Sequence, residues 1–202
     1  TLYQKNEREF IAKSRRIEQK IRNLPQPPDL VFHIFNTYSP FWDKYDIPYV
    51  VYLDYTLALS EKNGLPWAYF LNQKERHGWF ECETRLFERA KYLFCQSNVV
   101  KNSLIQDYGI DPQKIAVVGA SGNFMEPYRG NKTFGSKQIL FNGSDFKRKG
   151  GDLVVASFKK VKQVIPDAKL VIIGKKLFIR EEGIENPGHI ASGEELLNLF
   201  LN

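Results

Sequence analysis

The fold class is predicted most directly from residues 139–174, ILFNGSDFKRKGGDLVVASFKKVKQVIPDAKLVIIG. An apolar run is followed by a turn with three consecutive cations and two glycines, and a helical pattern then extends over about 150–164. Pro and Asp at 166–167 form a turn before a second apolar run, 169–173, which ends at Gly174. A strand, a helix and another strand in this order predict a parallel sheet with a right-handed crossover.

The same alternation runs upstream. Two short apolar runs, 29–35 and 47–53, have the length and composition of strands that are buried on both faces. Further strands are predicted at 92–96, 114–118 and 138–142, and helices at 3–24 and 98–108. The apolar stripe of the first helix consists of Phe10, Ile17, Ile21 and Leu24. A further sheet edge is predicted at 189–190, followed by a helix that opens with a capping box at Ser192 and Glu195. Ser97 is the predicted N-cap of the second helix and Gly109 its end. The predicted fold class is α/β, with two Rossmann-like lobes that are both incomplete.

The composition changes over residues 126–137, EPYRGNKTFGSK, which hold proline, glycine and cations but almost no aliphatic side chain. Such a segment is typical of an exposed linker. The predicted domains are therefore residues 1–125 and 138–202. Because the chain starts at Thr1 rather than Met and stops inside a predicted helix, we expect both ends to be truncated.

The charge balance allows anionic partners. The net charge is +6, from 29 Lys and Arg against 23 Asp and Glu, which suits a polyanion, an anionic membrane surface or a small phosphate compound. Cations crowd the predicted helix 3–24, either as a solvated face or as a contact with lipid headgroups. No apolar run approaches the ~20 residues needed to cross a bilayer. We expect a cytoplasmic protein, with peripheral contact at the inner membrane face through residues 3–24.

Neither the cysteines nor the histidines predict a metal site. Cys82 and Cys95 follow no metal-ligand spacing, and the apolar run around Cys95 favours a buried thiol. His33, His77 and His189 lie far apart in sequence, without carboxylates or cysteines at ligand spacing. No metal or other cofactor is expected.

The turn between the strand and the helix of 139–174 is a candidate anion site. Arg148, Lys149, Gly150 and Gly151 lie where a helix starts, and a helix N-terminus offers unpaired amides and a partial positive charge. The spacing is not that of a P-loop, and there is no GxGxxG motif. A merely solvated turn is the alternative that the spacing leaves open.

Residues 139–174, together with 85–123 and 48–56, resemble glycosyltransferases of the GT4 type, which have the GT-B fold. The resemblance implies two Rossmann-like domains that close over a cleft, a nucleotide-sugar bound by the second domain, retention of anomeric configuration and no need for a divalent metal. It also implies a pair of glutamates seven residues apart, which would lie beyond residue 202.

The resemblance assigns roles to individual residues. Lys149 matches the lysine that contacts the donor diphosphate, with Arg148, Gly143 and Gly150 around it. Ser144 stands where an arginine is usual, and a serine lacks the charge and the bidentate grip of a guanidinium. The positions that match the nucleotide and sugar pocket are Gly174, Lys175, Ile190 and Ala191.

On the acceptor side, Asp54 follows the predicted strand 47–53, at the edge where open α/β sheets bind ligands. It stands where related proteins often carry a histidine, so it is the catalytic candidate that would orient an acceptor hydroxyl; a helix cap is the alternative. Glu83 shares a helix face with Phe80 and Phe87, which favours a buried structural carboxylate.

These observations favour a retaining glycosyltransferase of the hexosyltransferase type. It would move a sugar from a nucleotide-diphosphate donor to a sugar or lipid-linked acceptor in polysaccharide or glycolipid assembly. A non-catalytic nucleotide or nucleotide-sugar binding module is the alternative. Nucleic-acid binding, suggested by Tyr38, Phe41 and Trp42 near Lys44, is least favoured, because the cations cluster by element rather than along an aromatic strip. We therefore expect no nucleic-acid partner.

Overall fold

The computed structural model describes residues 5–121, 129–131 and 135–201. The chain divides into two compact units, Thr1–Asn123 (unit 1) and Phe124–Asn202 (unit 2). Over the described residues, unit 1 holds a four-stranded sheet and unit 2 a three-stranded sheet, and every strand pair is parallel. The predicted α/β class with two Rossmann-like lobes is confirmed. Half of the predicted linker, residues 126–137, lies outside the described residues.

Unit 1 alternates helices with strands. Its helices are α1 (Glu7–Arg22), α2 (Leu57–Lys62), α3 (Gln73–Arg89) and α4 (Asn98–Tyr108), and its strands are β1 (Val31–Ile34), β2 (Tyr49–Leu53), β3 (Tyr92–Cys95) and β4 (Ile115–Val117). The predicted ends of α4 are confirmed. Ser97 Oγ accepts a hydrogen bond from the Val100 N–H at 3.4 Å, and Gly109 ends the helix in the left-handed region at φ 67°.

The sheet of unit 1 has the strand order β1-β2-β3-β4. The interior strand β2 is almost wholly buried, as its apolar run predicts. The core lies between the sheet and the helices, and its fully buried side chains include Phe10, Leu53, Leu86, Phe87 and Leu104. The carboxyl ends of β1 and β2 therefore lie side by side at one edge.

The prediction that residues 29–35 are buried on both faces is wrong. In β1, His33 is buried, but Phe32 is 57% and Ile34 50% exposed. Because strand order follows chain order, right-handed connections place their helices on one face of the sheet. On the other face the Phe32 ring stacks beside those of Tyr52 and Phe94, with centroids 6.4 Å from both.

The inner face of α1 also differs from its predicted apolar stripe. Phe10 is fully buried and Ile21 packs partly against the core, but Leu24 is 48% exposed and lies beyond the helix. The inner face continues instead through the buried polar side chains Ser14 and Glu18. These side chains accept hydrogen bonds from backbone N–H groups of the aromatic loop, residues 38–44, which follows β1.

Unit 2 is built from β5 (Gln138–Gly143), α5 (Gly151–Val164), β6 (Lys169–Gly174), β7 (Ile184–Gly188) and α6 (Gly193–Leu201), with strand order β5-β6-β7. Its buried core consists of Phe158, Ala168, Leu170 and Ile172. The predicted strand–helix–strand order of residues 139–174 is confirmed. So is the start of α6, where Ser192 Oγ accepts from the Glu195 N–H at 3.3 Å.

The sequence placed the third edge of unit 2 at residues 189–190, but the strand itself is β7, immediately before them. The β7 segment, IENPG, holds residues that are rare in strands. Asn186 compensates, since its Nδ2 donates to the Ile172 carbonyl at 2.7 Å and its Oδ1 accepts from the Leu177 N–H at 2.6 Å. The side chain of Asn186 thus links β7 to β6 and to the loop that joins them.

Candidate functional site

The turn between β5 and α5 places a lysine against a serine at the end of a strand. Lys149 Nζ donates to Ser144 Oγ at 3.0 Å, and both side chains are exposed. Arg148 Nε donates instead to Asp145 Oδ2 at 2.7 Å. The structure therefore brings Lys149 to the position where the resemblance implies an arginine, whereas the neighbouring Asp145 holds Arg148.

The start of α5 has no side-chain cap. Gly150 is the N-cap residue, in the left-handed region at φ 75°, and the Gly151 N–H donates to the Phe146 carbonyl at 2.7 Å. The amides that follow in the first turn have no acceptor within the helix, and the helix dipole adds a partial positive charge there. An anion beside Lys149 would meet both features, although Asp152 in the same turn offsets part of the charge.

The three glycines of this turn are required to different degrees by their neighbours. A Cβ at Gly151 would lie 2.3 Å from the Phe146 ring, and one at Gly143 would lie 3.3 Å from that ring and 3.1 Å from Ile172. Phe146 therefore requires both glycines, because its ring packs under the turn. Gly150 is different, since its nearest neighbour would be Leu153 at 4.0 Å. Of these three glycines, Gly150 is the one beside which a ligand has room.

Gly174, at the end of β6, lies directly against the β5 turn. A Cβ added to Gly174 would lie 2.5 Å from Ser144 N and 2.7 Å from Ser144 Cα, and its φ is 104°. The Lys175 N–H donates to the Gly143 carbonyl at 3.4 Å. The structure thus brings together five of the predicted donor-side residues: Gly143, Ser144, Lys149, Gly174 and Lys175.

Ile190 and Ala191 follow β7, and Ile190 is partly buried while Ala191 is exposed. Since β6 and β7 are parallel and Ile173 pairs with Gly188, the two residues lie at the same sheet edge as Gly174. Their predicted role beside a nucleotide base stays a prediction.

Unit 1 has a pocket of about 290 Å³ at the carboxyl ends of β1 and β2. Asp54 lies in its wall, directly after β2, with an exposed side chain. The other residues that line it are Lys5, Phe35, Asn36, Thr37, Tyr55, Thr56, Leu57, Ser60, Trp67, Trp79 and Glu83. Apolar and aromatic walls with a few polar groups are typical of small-molecule sites.

The residue that caps α2 is Thr56 and not Asp54. Thr56 Oγ1 accepts from the Leu59 N–H at 3.2 Å, and the hydroxyl also shares a hydrogen bond of 2.8 Å with Ser103 Oγ. The alternative interpretation of Asp54 as the cap of this helix is therefore wrong, and Asp54 is an exposed residue that lines the pocket.

Phe35 has strained backbone beside the pocket. Its φ is 70°, a left-handed value that is a true outlier for a bulky side chain and costs on the order of 1–3 kcal/mol. The Phe35 N–H still donates to the Tyr52 carbonyl at 2.8 Å, so the chain turns sharply straight after the β1–β2 ladder. The turn directs Asn36 toward Glu83 in the pocket.

Glu83 is a buried carboxylate, as predicted, with 1% exposure. Burial raises its pKa to about 7, against the hydrogen bonds from Tyr108, Leu57 and Asn36 and the charge of Lys5, which lower it. Neither Asn36 nor Tyr108 was predicted from the sequence as a site residue. Asn36 could have been predicted, because it follows a strand at the same sheet edge as Asp54, whereas no sequence pattern points to Tyr108.

One sequence family matches this chain. The model of glycosyltransferase family 4 aligns with residues 2–119, which is more than half of the 202 residues. The chain belongs to glycosyltransferase family 4. The matched range covers all the strands of unit 1 and the pocket around Asp54. No curated protein matches the chain significantly.

As a family 4 glycosyltransferase, the protein acts on a sugar donor and an acceptor. Two of the three aromatic side chains that suggested nucleic-acid binding are buried, since Phe41 is fully buried and Trp42 is only 7% exposed. Both rings pack in the core, Phe41 against Tyr49 and Trp42 against Phe10. Neither ring is available for stacking on a base.

The outer face of α1 carries cations but little apolar surface. Arg8, Arg16 and Lys20 are exposed, whereas Phe10 packs inward. Contact of this glycosyltransferase with lipid through residues 3–24 would therefore be electrostatic, and it stays a prediction that vesicle sedimentation at low and high salt would test. Across residues 5–121, 129–131 and 135–201, every helix is too short or too polar to cross a bilayer.

Within the described part of the glycosyltransferase, no three His, Cys, Asp or Glu side chains cluster as metal ligands. His33 is buried, with its Nε2 2.8 Å from the Tyr38 carbonyl oxygen, and burial lowers its pKa to about 4. Metal-independent transfer stays a prediction, and loss of transfer in EDTA would contradict it.

Proposed function

We propose that this glycosyltransferase transfers a sugar, with retention of configuration, from a nucleotide-diphosphate sugar to a hydroxyl of a sugar or lipid-linked acceptor. Such a reaction would serve polysaccharide or glycolipid assembly. Unit 2 binds the donor through Lys149, and unit 1 receives the acceptor in the pocket beside Asp54. The observation that carries the proposal is the Lys149 ammonium, held 3.0 Å from Ser144 Oγ at the end of β5 and the start of α5.

The donor side meets the main electrostatic demand of the reaction. As the sugar leaves, negative charge builds on the departing diphosphate, and fixed cations with helix amides stabilise that charge. Ser144 contributes a hydroxyl but no charge, and Arg148 is paired with Asp145 at 2.7 Å. Lys149 therefore carries more of the phosphate charge than it would beside an arginine.

The acceptor side needs a group that orients a hydroxyl. Asp54 offers a carboxylate at the wall of the pocket, and the cap of α2 is made by Thr56 instead. Trp67 and Tyr55 give the same pocket aromatic walls, against which the apolar parts of an acceptor can pack. A carboxylate that accepts a hydrogen bond from the acceptor hydroxyl would hold it for attack.

A Lys149→Ala variant is expected to bind a nucleotide diphosphate about 10- to 150-fold more weakly. The range corresponds to about 1.5–3 kcal/mol, the usual contribution of a hydrogen bond to a charged group. Calorimetric titration of the whole chain with UDP, GDP and ADP measures the loss and identifies the preferred base.

The matched control is Lys147→Ala, which removes an exposed cation from the same turn and should change affinity by less than about threefold. Equal losses in both variants would show a merely cationic turn and would contradict a specific role for Lys149. Binding that depends on Lys149, without transfer from any UDP-, GDP- or ADP-sugar, would favour a non-catalytic nucleotide-sugar binding module.

A further inference from the structure

One carboxylate joins four segments of unit 1. Glu83, in the middle of α3, accepts hydrogen bonds from three donors: Asn36 Nδ2 after β1, the Leu57 N–H at the start of α2 at 3.3 Å, and the Tyr108 hydroxyl at the end of α4. It is 1% exposed and lines the pocket that Asp54 also lines. A single buried group thus connects the end of one strand with three helices.

The donor arrangement requires a carboxylate rather than an amide. Asn36 and the pair of Leu57 and Tyr108 approach different oxygens, Oε1 and Oε2. Asn36 Nδ2 also donates to the Tyr55 carbonyl at 3.2 Å, and the Tyr108 hydroxyl oxygen already accepts from the Ala58 N–H at 3.1 Å. Both sides therefore present donors. An ionised carboxylate accepts on both oxygens, whereas a glutamine would turn an NH2 group toward one of these donors.

The segment that these bonds hold is the turn with Asp54. Residue 53 before it is the last of β2, and Tyr55 after it is held by Asn36. The N–H groups of Leu57, Ala58 and Leu59 are satisfied by Glu83, Tyr108 and Thr56 respectively. Asp54 is thus held by β2 on one side and, on the other side, by hydrogen bonds of the next four residues, of which those of Tyr55, Leu57 and Ala58 lead to Glu83 directly or through Asn36 and Tyr108.

We propose that Glu83 is a positioning residue of the acceptor site, whose ionised carboxylate holds the turn of residues 54–58 and whose protonation releases it. The inference rests on the proposed function, because Asp54 in this turn is the acceptor-side residue there. The strained φ of 70° at Phe35 agrees with it, since the bonds of Asn36 offset a backbone conformation that is otherwise unfavourable.

The electrostatic setting supports titration in the neutral range. Burial raises the pKa of Glu83 to about 7, while its donors and Lys5 oppose the shift. The titratable and charged groups around it are Lys5 ahead of α1, Asp54 and Tyr55 after β2, Glu61 on α2, Arg76 on α3 and Tyr108 on α4. Burial and the charge of Glu83 raise the pKa of Tyr108 far above neutrality, so Tyr108 stays a donor at every pH that the test uses.

The experiment is an NMR titration of the whole chain between pH 5 and 9, observing backbone amides. We expect the Leu57 and Ala58 amide shifts to move together with a midpoint near 7, and to be flat over the same range in Glu83→Gln. Flat wild-type shifts, or an unchanged titration in Glu83→Gln, would overturn the proposal.

Two milder variants keep the test decisive if Glu83→Gln does not fold. Tyr108→Phe and Asn36→Ala each remove a donor that favours the ionised form, so each should raise the midpoint by about one pH unit. Tyr55→Phe is the control, because the Tyr55 hydroxyl accepts from Asn63 Nδ2 at 2.7 Å rather than meeting Glu83. A midpoint that responds equally to all three variants would count against Glu83 as the titrating group.

Transfer kinetics separate this inference from the proposed function. If both hold, kcat/KM for the acceptor falls about tenfold per pH unit below the midpoint. The affinity of unit 2 for a nucleotide-sugar, whose diphosphate does not titrate in this range, stays constant. Loss of nucleotide binding in the wild-type chain would contradict the donor assignment and leave the NMR result standing. An NMR midpoint near 7 without the fall of kcat/KM at low pH would overturn the acceptor role of Glu83.

Discussion

A Gly174→Ala variant is expected to lose roughly 2–5 kcal/mol of stability in unit 2 and to bind nucleotide at least about tenfold more weakly. The added Cβ would lie 2.5 Å from Ser144 N, where only backbone movement relieves the clash, and the φ of 104° is unfavourable for alanine. The edge of β6 would have to move away from the β5 turn. That movement would displace the contact between Ser144 and Lys149, on which donor binding depends.

The control separates the clash from the backbone strain. Gly135 in unit 2 also has a positive φ, 94°, but a Cβ there meets nothing within 4 Å. Gly135→Ala should therefore cost only about 1 kcal/mol and leave nucleotide binding intact. Equal effects of the two substitutions would show that the contact of Gly174 with Ser144 is unimportant.

Fluorescence tells which unit a substitution affects. The three tryptophans, Trp42, Trp67 and Trp79, all belong to unit 1. In urea denaturation followed by circular dichroism, Gly174→Ala should lower the midpoint of the transition to which α5 and α6 contribute. The transition followed by tryptophan fluorescence should keep its midpoint. A shift of the tryptophan transition alone would contradict the assignment of the damage to unit 2.

The regular elements were predictable because their signals are local. Ser97 and Gly109 mark the ends of α4 through contacts with residues three or four positions away. The apolar runs of β2 and β6 lie in the interiors of their sheets, where burial matches composition. For such elements the sequence neighbours supply most of the decisive interactions.

The elements that were misjudged depend on distant partners. The apolar composition of β1 does not reveal that it is an edge strand, and β7 is recognisable only when Asn186 meets the Ile172 carbonyl. Periodicity likewise indicated an apolar stripe on α1 but not the burial of Glu18, whose backbone partners lie 24 or more residues away. Strand order and loop contacts of this kind are not encoded in a local pattern.

The candidate site likewise combines residues that the sequence predicts with residues that only the folded chain brings together. The rule that ligands bind at the carboxyl ends of parallel strands predicted Asp54, and the anion affinity of a helix N-terminus predicted Lys149. Family membership agrees with a donor and an acceptor. The contact of Glu83 with Asn36 joins residues 47 apart, and that with Tyr108 joins residues 25 apart. No spacing rule reaches so far, so the support of the Asp54 turn became visible only in the folded chain.

Glu18 and Glu83 show how donors decide the charge of a buried carboxylate. Burial opposes ionisation of both side chains. Around Glu18, hydrogen bonds from the backbone of residues 42–44 and from Arg22 outweigh burial and hold its pKa below the ordinary value. Around Glu83, one backbone amide and two neutral side chains do not suffice, and its pKa rises to about 7. Glu18 is therefore ionised at neutral pH, whereas the raised pKa of Glu83 lies in the neutral range.

Substitution of Glu18 by alanine is expected to destabilise unit 1 by about 3–5 kcal/mol. Glu18 Oε2 accepts from the N–H groups of Trp42 and Asp43 at 2.7 and 2.8 Å, and Oε1 accepts from Lys44 N–H at 3.1 Å and Arg22 Nε at 2.9 Å. Alanine would leave these donors without their acceptor, and each buried unsatisfied donor costs about 1–3 kcal/mol. Urea denaturation followed by tryptophan fluorescence would show the loss.

The dependence on pH distinguishes a carboxylate effect from simple loss of packing. Because the folded pKa of Glu18 is lowered, its ionic contribution is fully present above the unfolded pKa of about 4.3 and is lost as pH falls through the folded pKa. The difference between wild type and Glu18→Ala should therefore shrink below about pH 4. The control, Asp43→Ala, breaks an exposed ion pair with Arg15 at 3.1 Å and should cost less than about 1 kcal/mol. A Glu18→Ala loss as small as that of Asp43→Ala would show that residues 42–44 keep their conformation without this carboxylate.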